Sequence, residues 1–389
     1  MTRALLNSAL AGMGTTIFAE MSVLAAETGS INLGQGFPDT DGPAEVAQAA
    51  VDAILSGRGN QYPPGPGIAE LRQAITAHQK RFYGVELDPD TEVLVTAGAT
   101  EAIAAAMLAL LEPGDEVIAL EPYYDSYAAC IAMAGAKRVP VTLRAPQFRP
   151  DLDAIRDAVT DRTRLILLNS PHNPTGMVAT REELTAIARL AIERDLLVIA
   201  DEVYEHIVFA GEHIPIATLP GMRERTATIS SAGKTFSFTG WKVGWVTGSP
   251  ELVTAVRTAK QFLTYVSSGP FQYAIAVGLA LPDSFYADLR AGLERRRDLL
   301  AAGLRDAGFE VFTPDGTYFI TADIAGLGEP DGLAFCRSLP RRCGVVAVPN
   351  VVFYDDRQAG RSQVRFAFCK REEVLAEAAA RLRRLQASQ

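Results

Sequence analysis

Two hydrophobic patterns alternate between about residues 44 and 280. ELRQAITAHQKRF and REELTAIARLAIERD repeat apolar positions at helical spacing, and DSYAACIAMAGA reads the same way. TEAIAAAMLALLEPG predicts an Ala/Leu-rich helix stopped by Pro113 and Gly114. Between these segments lie EVLVTAG, DEVIAL, RLILLNSP, LLVIADEVY and TATIS. They are short, β-rich or continuous apolar runs, as expected of strands covered on both faces of a parallel sheet. The alternation predicts a doubly wound α/β sheet, a fold that binds ligands in the crevice beyond the carboxyl ends of its strands.

The pattern changes after about residue 282. SFYADLRAGLERRRDLLAAGLRDAG predicts one long charged helix, and FEVFTPDGTYFITADI predicts two short strands around a Pro-Asp-Gly turn. SQVRFAFCK follows as a strand and REEVLAEAAARLRRLQ as an amphipathic helix. The expected division is a large domain over 36–282 and a smaller α+β domain made of 1–35 and 283–389.

Composition narrows the possibilities. The 389 residues are 48% hydrophobic and 21% charged, ordinary for a globular protein with a large core. A net charge of -9 argues against nucleic acid or an anionic membrane as partner. No apolar run reaches the roughly 18 residues that would cross a bilayer. The start, MTRALLNSALAGMGTTIFAEM, lacks the apolar core of a signal peptide and reads as cytoplasmic. Four cysteines without C-x-x-C spacing and four histidines without H-x-x-x-H spacing give no disulfide framework and no metal motif.

The polar residues gather where the predicted strands end. VTAGATEAI places Gly98, Ala99 and Thr100 at a strand-to-helix junction, where exposed N–H groups suit an anion. An ordinary N-cap with Glu101 in the first turn fits the same segment. NSPHNPTG puts Asn169 and Asn173 on a turn-rich loop, and Pro174 keeps Asn173 out of a helix. Asp201 closes an apolar strand, where a lone charge is costly and no cation is adjacent in sequence. Tyr204 lies near the same edge. Between Arg225 and Glu251 the only ionisable side chains are Lys234 and Lys242. Lys234, among Ala232, Gly233 and Phe236, should have a lowered pKa suited to imine chemistry. Lys242, beside Ser231 on the same edge, fits an anion counter-charge. An amine, a second cation, a helix start and a buried carboxylate are what pyridoxal phosphate requires for its aldehyde, phosphate and pyridine nitrogen.

At these residues the chain resembles the fold-type I pyridoxal phosphate enzymes, specifically the class I aminotransferases. NLGQGFPD, NQYPPGPG, VTAGATEAI, EPYYDSY, NSPHNPTG, DEVYEH, SSAGKTFSFTGWKVGW and VRFAFCK carry the resemblance, in order along the chain. It is similar to the branch of kynurenine/glutamine, methionine-type and N-succinyldiaminopimelate aminotransferases. The resemblance implies a mostly parallel seven-stranded sheet between helices, plus the smaller α+β domain. It implies Lys234 as the Schiff-base lysine and general acid/base, Asp201 on the pyridine nitrogen, and Tyr204 and Asn173 on the ring oxygen. Tyr124 would stack on the ring, and Ala99, Thr100, Ser231 and Lys242 would hold the phosphate. Tyr62 would reach the phosphate from the second subunit of a homodimer. Arg365 would clamp the substrate carboxylate, with Gly36 beside it and Phe18, Phe37 and Tyr318 lining the pocket.

One stretch departs from the aspartate-specific pattern. KQFLTYVSSGPFQY, residues 260–273, contains no Arg to pair with an acidic side chain. The expected reaction is therefore ping-pong transamination from a long, apolar or aromatic amino donor to an acceptor such as 2-oxoglutarate. N-succinyldiaminopimelate transamination in lysine biosynthesis and cysteine-conjugate β-elimination use the same scaffold. A silent regulator domain is disfavoured, since no helix-turn-helix precedes residue 30 and the chain is acidic.

Overall fold

The computed structural model describes residues 5–11, 13–14 and 16–388. The expected small-domain assignment of 1–35 and 283–389 therefore includes residues 1–4, 12, 15 and 389, which lie outside the described residues. A seven-stranded sheet forms the centre of the molecule. In spatial order its strands are Val93–Thr96, Gly244–Thr247, Thr226–Ser231, Leu197–Asp201, Thr163–Asn169, Glu116–Glu121 and Lys137–Thr142. Only Gly244–Thr247 runs antiparallel to its neighbours. The expected strands are all present; Gly244–Thr247 and the edge strand Lys137–Thr142 are additions. Pro140 lies inside that edge strand, which is where a sheet tolerates a residue without an N–H.

The continuous apolar runs have a direct explanation. Ile118, Leu120, Ile166, Leu168, Val198 and Ala200 pack on one face with the helix Arg181–Glu193. Val117, Leu165, Leu167, Ile199, Ala227 and Ile229 alternate with them and pack on the other face, against the helix Gly98–Leu110. A strand buried on both sides has no polar face to show.

The C-terminal part adds a four-stranded antiparallel sheet in the order Val348–Pro349, Gln363–Ala367, Phe319–Asp323, Glu310–Phe312. The long helix spans Asp283–Asp306 and the last α-helix Glu372–Leu382. Ile31–Asn32 pairs in parallel with Val345–Val346, so the segment before the main sheet is tied to this C-terminal part. Among the described residues no helix is long and apolar enough to cross a membrane.

Register places the strand ends together. Asn169 pairs with Asp201, Asp201 with Ile229, and Ser231 with Gly244, which also pairs with Thr96. The antiparallel strand thus begins where its neighbours finish, and Lys242 just before it reaches the same edge. Gly244 permits this. A Cβ there would lie 2.6 Å from the Gly98 carbonyl carbon and 2.8 Å from the Ala99 nitrogen. We expect Gly244→Ala to displace the start of the helix Gly98–Leu110, costing about 1–3 kcal/mol by overpacking. Thermal unfolding of the purified variant checks this; an unchanged Tm would contradict it.

Candidate active site

A cavity of about 300 Å³ opens at that strand edge. Of the residues expected at the site, Phe18, Gly36, Ala99, Thr100, Tyr124 and Asn173 line it, as do Asp201, Tyr204, Ser231, Lys234, Lys242 and Arg365. Tyr62 does not. Its ring is 80% exposed and packs edge-on against Tyr265, with centroids 5.3 Å apart.

Asp201 ends the central strand and is buried. The Tyr127 hydroxyl donates to its Oδ2, and the Val203 N–H to its Oδ1 at 3.3 Å. Burial raises its carboxyl pKa, opposed by these hydrogen bonds and by Lys234. Its backbone is fixed as well: Asn169 Nδ2 donates to the Asp201 carbonyl at 2.8 Å. Asn169 Oδ1 accepts from the Asn173 N–H at 2.8 Å, which sets the loop that follows.

Lys234 sits in the single helical turn Ala232–Thr235 after the strand Thr226–Ser231. Its Nζ lies 5.6 Å from the Tyr204 ring centroid and 5.7 Å from that of Tyr318. Burial pushes its pKa down to about 8, with Cys369 and Asp201 opposing. The Tyr204 phenol is raised by burial. The Tyr318 hydroxyl donates to the Gly36 carbonyl at 2.6 Å, and a Cβ on Gly36 would meet Phe319 at 2.5 Å.

Lys242, expected as an anion counter-charge, lines the cavity at its edge. It is exposed, with a left-handed backbone at φ 54°, on the rim beside the helix start. A Cβ on Gly98 would lie 3.2 Å from the Lys242 Nζ. The first N–H groups of a helix have no intrahelical partners, so this end of the cavity offers backbone donors, a cation and the hydroxyls of Thr100 and Ser231. Glu101, the acidic residue of that first turn, is directed elsewhere: it accepts from the Ala97 N–H and from the Thr264 hydroxyl.

Arg365, at the opposite end, is 1% exposed. Its Nη1 donates to Asn173 Oδ1 at 3.0 Å and its Nη2 to the Gly34 carbonyl at 2.9 Å, while Nε has no partner. The guanidinium lies 4.0 Å from the Phe319 ring centroid and 5.1 Å from that of Phe18. It forms no ion pair with a carboxylate among the described residues, and burial pulls its pKa down to about 10.

Asp201, Lys234 and Arg365 are all shifted toward their neutral forms by burial. That is the signature of a cavity built for a charged occupant. Pyridoxal phosphate suits it. A protonated pyridine nitrogen would offset Asp201, a phosphate would take the rim donors and Lys242, and Lys234 is an amine ready for the aldehyde. Arg365 remains for a substrate carboxylate.

Sequence reading missed Tyr127. It lies one helical turn past Tyr124 and reads as a core aromatic; its phenol is the hydrogen-bond partner of Asp201. Phe319 was missed too, since its contact with Arg365 depends on the pairing of Phe319–Asp323 with Gln363–Ala367.

Comparison with known proteins gives a consistent picture. The model of the family "aminotransferase class I and II" matches residues 28–382. A probable N-succinyldiaminopimelate aminotransferase of Mycobacterium tuberculosis is 54% identical over 96% of this chain and 97% of its own. The methionine aminotransferase of Escherichia coli is 39% identical over 97% of this chain and 98% of its own. The solved structure of N-succinyldiaminopimelate aminotransferase from Mycobacterium tuberculosis superposes with a TM-score of 0.96 at 55% identity. It covers 98% of this chain and 100% of that one.

Deprotonation frees the Lys234 lone pair, so its nucleophilicity grows as pH rises through the lowered pKa of about 8. Recombination of cofactor-free protein with pyridoxal phosphate should therefore accelerate with a midpoint near pH 8 and level off above it. A rate still climbing beyond pH 10, as for an exposed lysine, would contradict the burial argument.

Proposed function

The chain belongs to the class I and II aminotransferase family and is an aminotransferase with pyridoxal 5'-phosphate as its cofactor; from that premise we propose that it exchanges an amino group between N-succinyldiaminopimelate and 2-oxoglutarate. The observation that carries the donor assignment is the 54% identity, over nearly the whole chain, to a relative named for that substrate, against 39% to one named for methionine. The absence of Arg from 260–273 supports a donor other than aspartate and places no limit on a long succinylated side chain.

Bound pyridoxal phosphate supplies an electron sink for the pair left when the α-proton is removed. The protein's own groups do the rest. Arg365 would hold the α-carboxylate in a bidentate pair, oriented by Asn173 and the Gly34 carbonyl. Lys234, with its pKa lowered by burial, would take the proton from the α-carbon and return it at the neighbouring cofactor carbon. Asp201, kept in place by Tyr127 and the Val203 N–H, would keep the pyridine nitrogen protonated. Tyr204 and Asn173 would bind the ring oxygen, Tyr124 would stack on the ring, and Lys242, Ala99, Thr100 and Ser231 would bind the phosphate. Tyr62, exposed here together with Phe262 at 82% and Tyr265 at 54%, supports a homodimer in which Tyr62 serves the partner's cavity.

A second reading, a methionine- or kynurenine-type donor, is favoured by the aromatic wall of Phe18 and Phe319 around Arg365. A half-reaction panel separates the two by following the cofactor absorbance as each amino acid converts it to the amine form. N-succinyldiaminopimelate and glutamate should convert it fastest. A methionine or kynurenine rate tenfold above that of N-succinyldiaminopimelate would overturn the assignment.

Arg365→Lys should raise KM for every donor. Losing the paired charge-assisted bonds costs about 1.5–3 kcal/mol, or about 10- to 100-fold. Steady-state kinetics with N-succinyldiaminopimelate and 2-oxoglutarate checks this, and an unchanged KM would remove Arg365 from the carboxylate site.

A further inference from the structure

Asp201, Val203 and Tyr204 line the catalytic cavity, whereas Glu202, Glu205 and His206 of the same segment do not. Glu205 and His206 instead meet His78 from the helix Ala69–Tyr83, 128 residues away from His206. Their ligand-capable atoms all lie within 4.8 Å of one another. The two imidazoles face each other, Nε2 to Nε2, at 2.7 Å. The Ser230 hydroxyl donates to Glu205 Oε1 at 2.6 Å, which orients the carboxylate. Its other oxygen, Oε2, is buried with no hydrogen-bond partner, and so is His78 Nδ1.

This cluster lacks a cation. Glu202 is matched by His213 at 2.9 Å. The basic side chains beside His78 are engaged elsewhere, Lys80 by Glu86 and Arg81 by Asp283. Glu205, 5% exposed, has the Ser230 hydroxyl, the Tyr83 phenol and two imidazoles around it. Phe82 and Tyr286 close around them, with centroids 4.7 Å and 4.4 Å from the His206 ring.

We propose that His78, His206 and Glu205 form a binding site for a divalent cation of the zinc class, separate from the catalytic cavity. Two imidazole nitrogens and one carboxylate oxygen match the ligand types and number of a zinc site that keeps one position for water. The Ser230 hydroxyl is an outer-shell partner of the kind that steadies such ligands. Metal–nitrogen bonds of about 2.0–2.1 Å set tetrahedral nitrogens about 3.3–3.4 Å apart. The 2.7 Å contact then opens by about 0.6–0.7 Å as the ion replaces the shared proton. The ion occupies the direction of the orphaned Oε2. It joins the helix Ala69–Tyr83 to the segment that carries Asp201 and Tyr204.

Holoenzyme stripped with a chelator and desalted is titrated with Zn²⁺ alone, and in parallel with Co²⁺ as a spectroscopic probe. The expected result is one Zn²⁺ per chain, a higher Tm with metal, and the intense visible bands of tetrahedral Co²⁺. His78→Gln and Glu205→Gln should each weaken Zn²⁺ binding at least tenfold while the cofactor absorbance is kept. Wild-type affinity in both variants, or no stoichiometric Zn²⁺ on the wild-type protein, overturns the proposal. If the variants do not fold, the wild-type Co²⁺ spectrum decides, and a weak octahedral spectrum overturns it equally.

Discussion

A carboxylate buried at the end of a central parallel strand is the constraint on which the catalytic region depends. Asp201 accepts hydrogen bonds from a phenol and one N–H, with Lys234 as the cation that favours its charge, and Asn169 clamps its backbone in place. A charge so placed is unfavourable in isolation. Lys234 and Arg365 share the predicament with the opposite sign, and each is displaced toward its neutral form by the same desolvation. The same burial thus acts on three charges of one cavity. Pyridoxal phosphate and an amino acid bring a cationic nitrogen, an aldehyde and a carboxylate, one for each.

The sheet topology supplies the geometry. Six strands end along one edge and the seventh, antiparallel, begins there, so residues far apart in sequence converge without any loop having to be long. Gly244 and Gly98 let two backbones approach closely enough for Lys242 to lie against a helix start. One end of the cavity is therefore lined by the backbone around Gly98 and Ala99, and the other by Arg365 and Phe319 of the smaller sheet.

Much of this was legible in the sequence because burial on both faces writes itself as continuous apolar runs, and polar residues that end such runs must lie at the edge. Asp201, Asn173 and Lys234 were readable for that reason. The strand Gly244–Thr247 was not, being four residues long and flanked by glycine and aromatics that read as loop. Tyr127 looked like packing because helical spacing cannot distinguish a phenol turned to a carboxylate from one turned to the core. The pairing of His78 with His206 spans 128 residues and leaves no local spacing to notice. Tyr62 is a different case, since its expected role lies in a second subunit.

The pairing of Ile31–Asn32 with Val345–Val346 and the seat of Arg365 on the Gly34 carbonyl have a consequence for biosynthesis. Chains fold as they emerge, at about 5–20 residues per second. The main sheet is complete once Thr247 has been made, but Arg365 follows roughly 120 residues later, a lag of about 6–24 seconds. During that interval the segment around Gly34 has neither its strand partner nor its guanidinium. The strand ends that carry Asp201 and Lys234 are therefore made well before the guanidinium that seats on the Gly34 carbonyl.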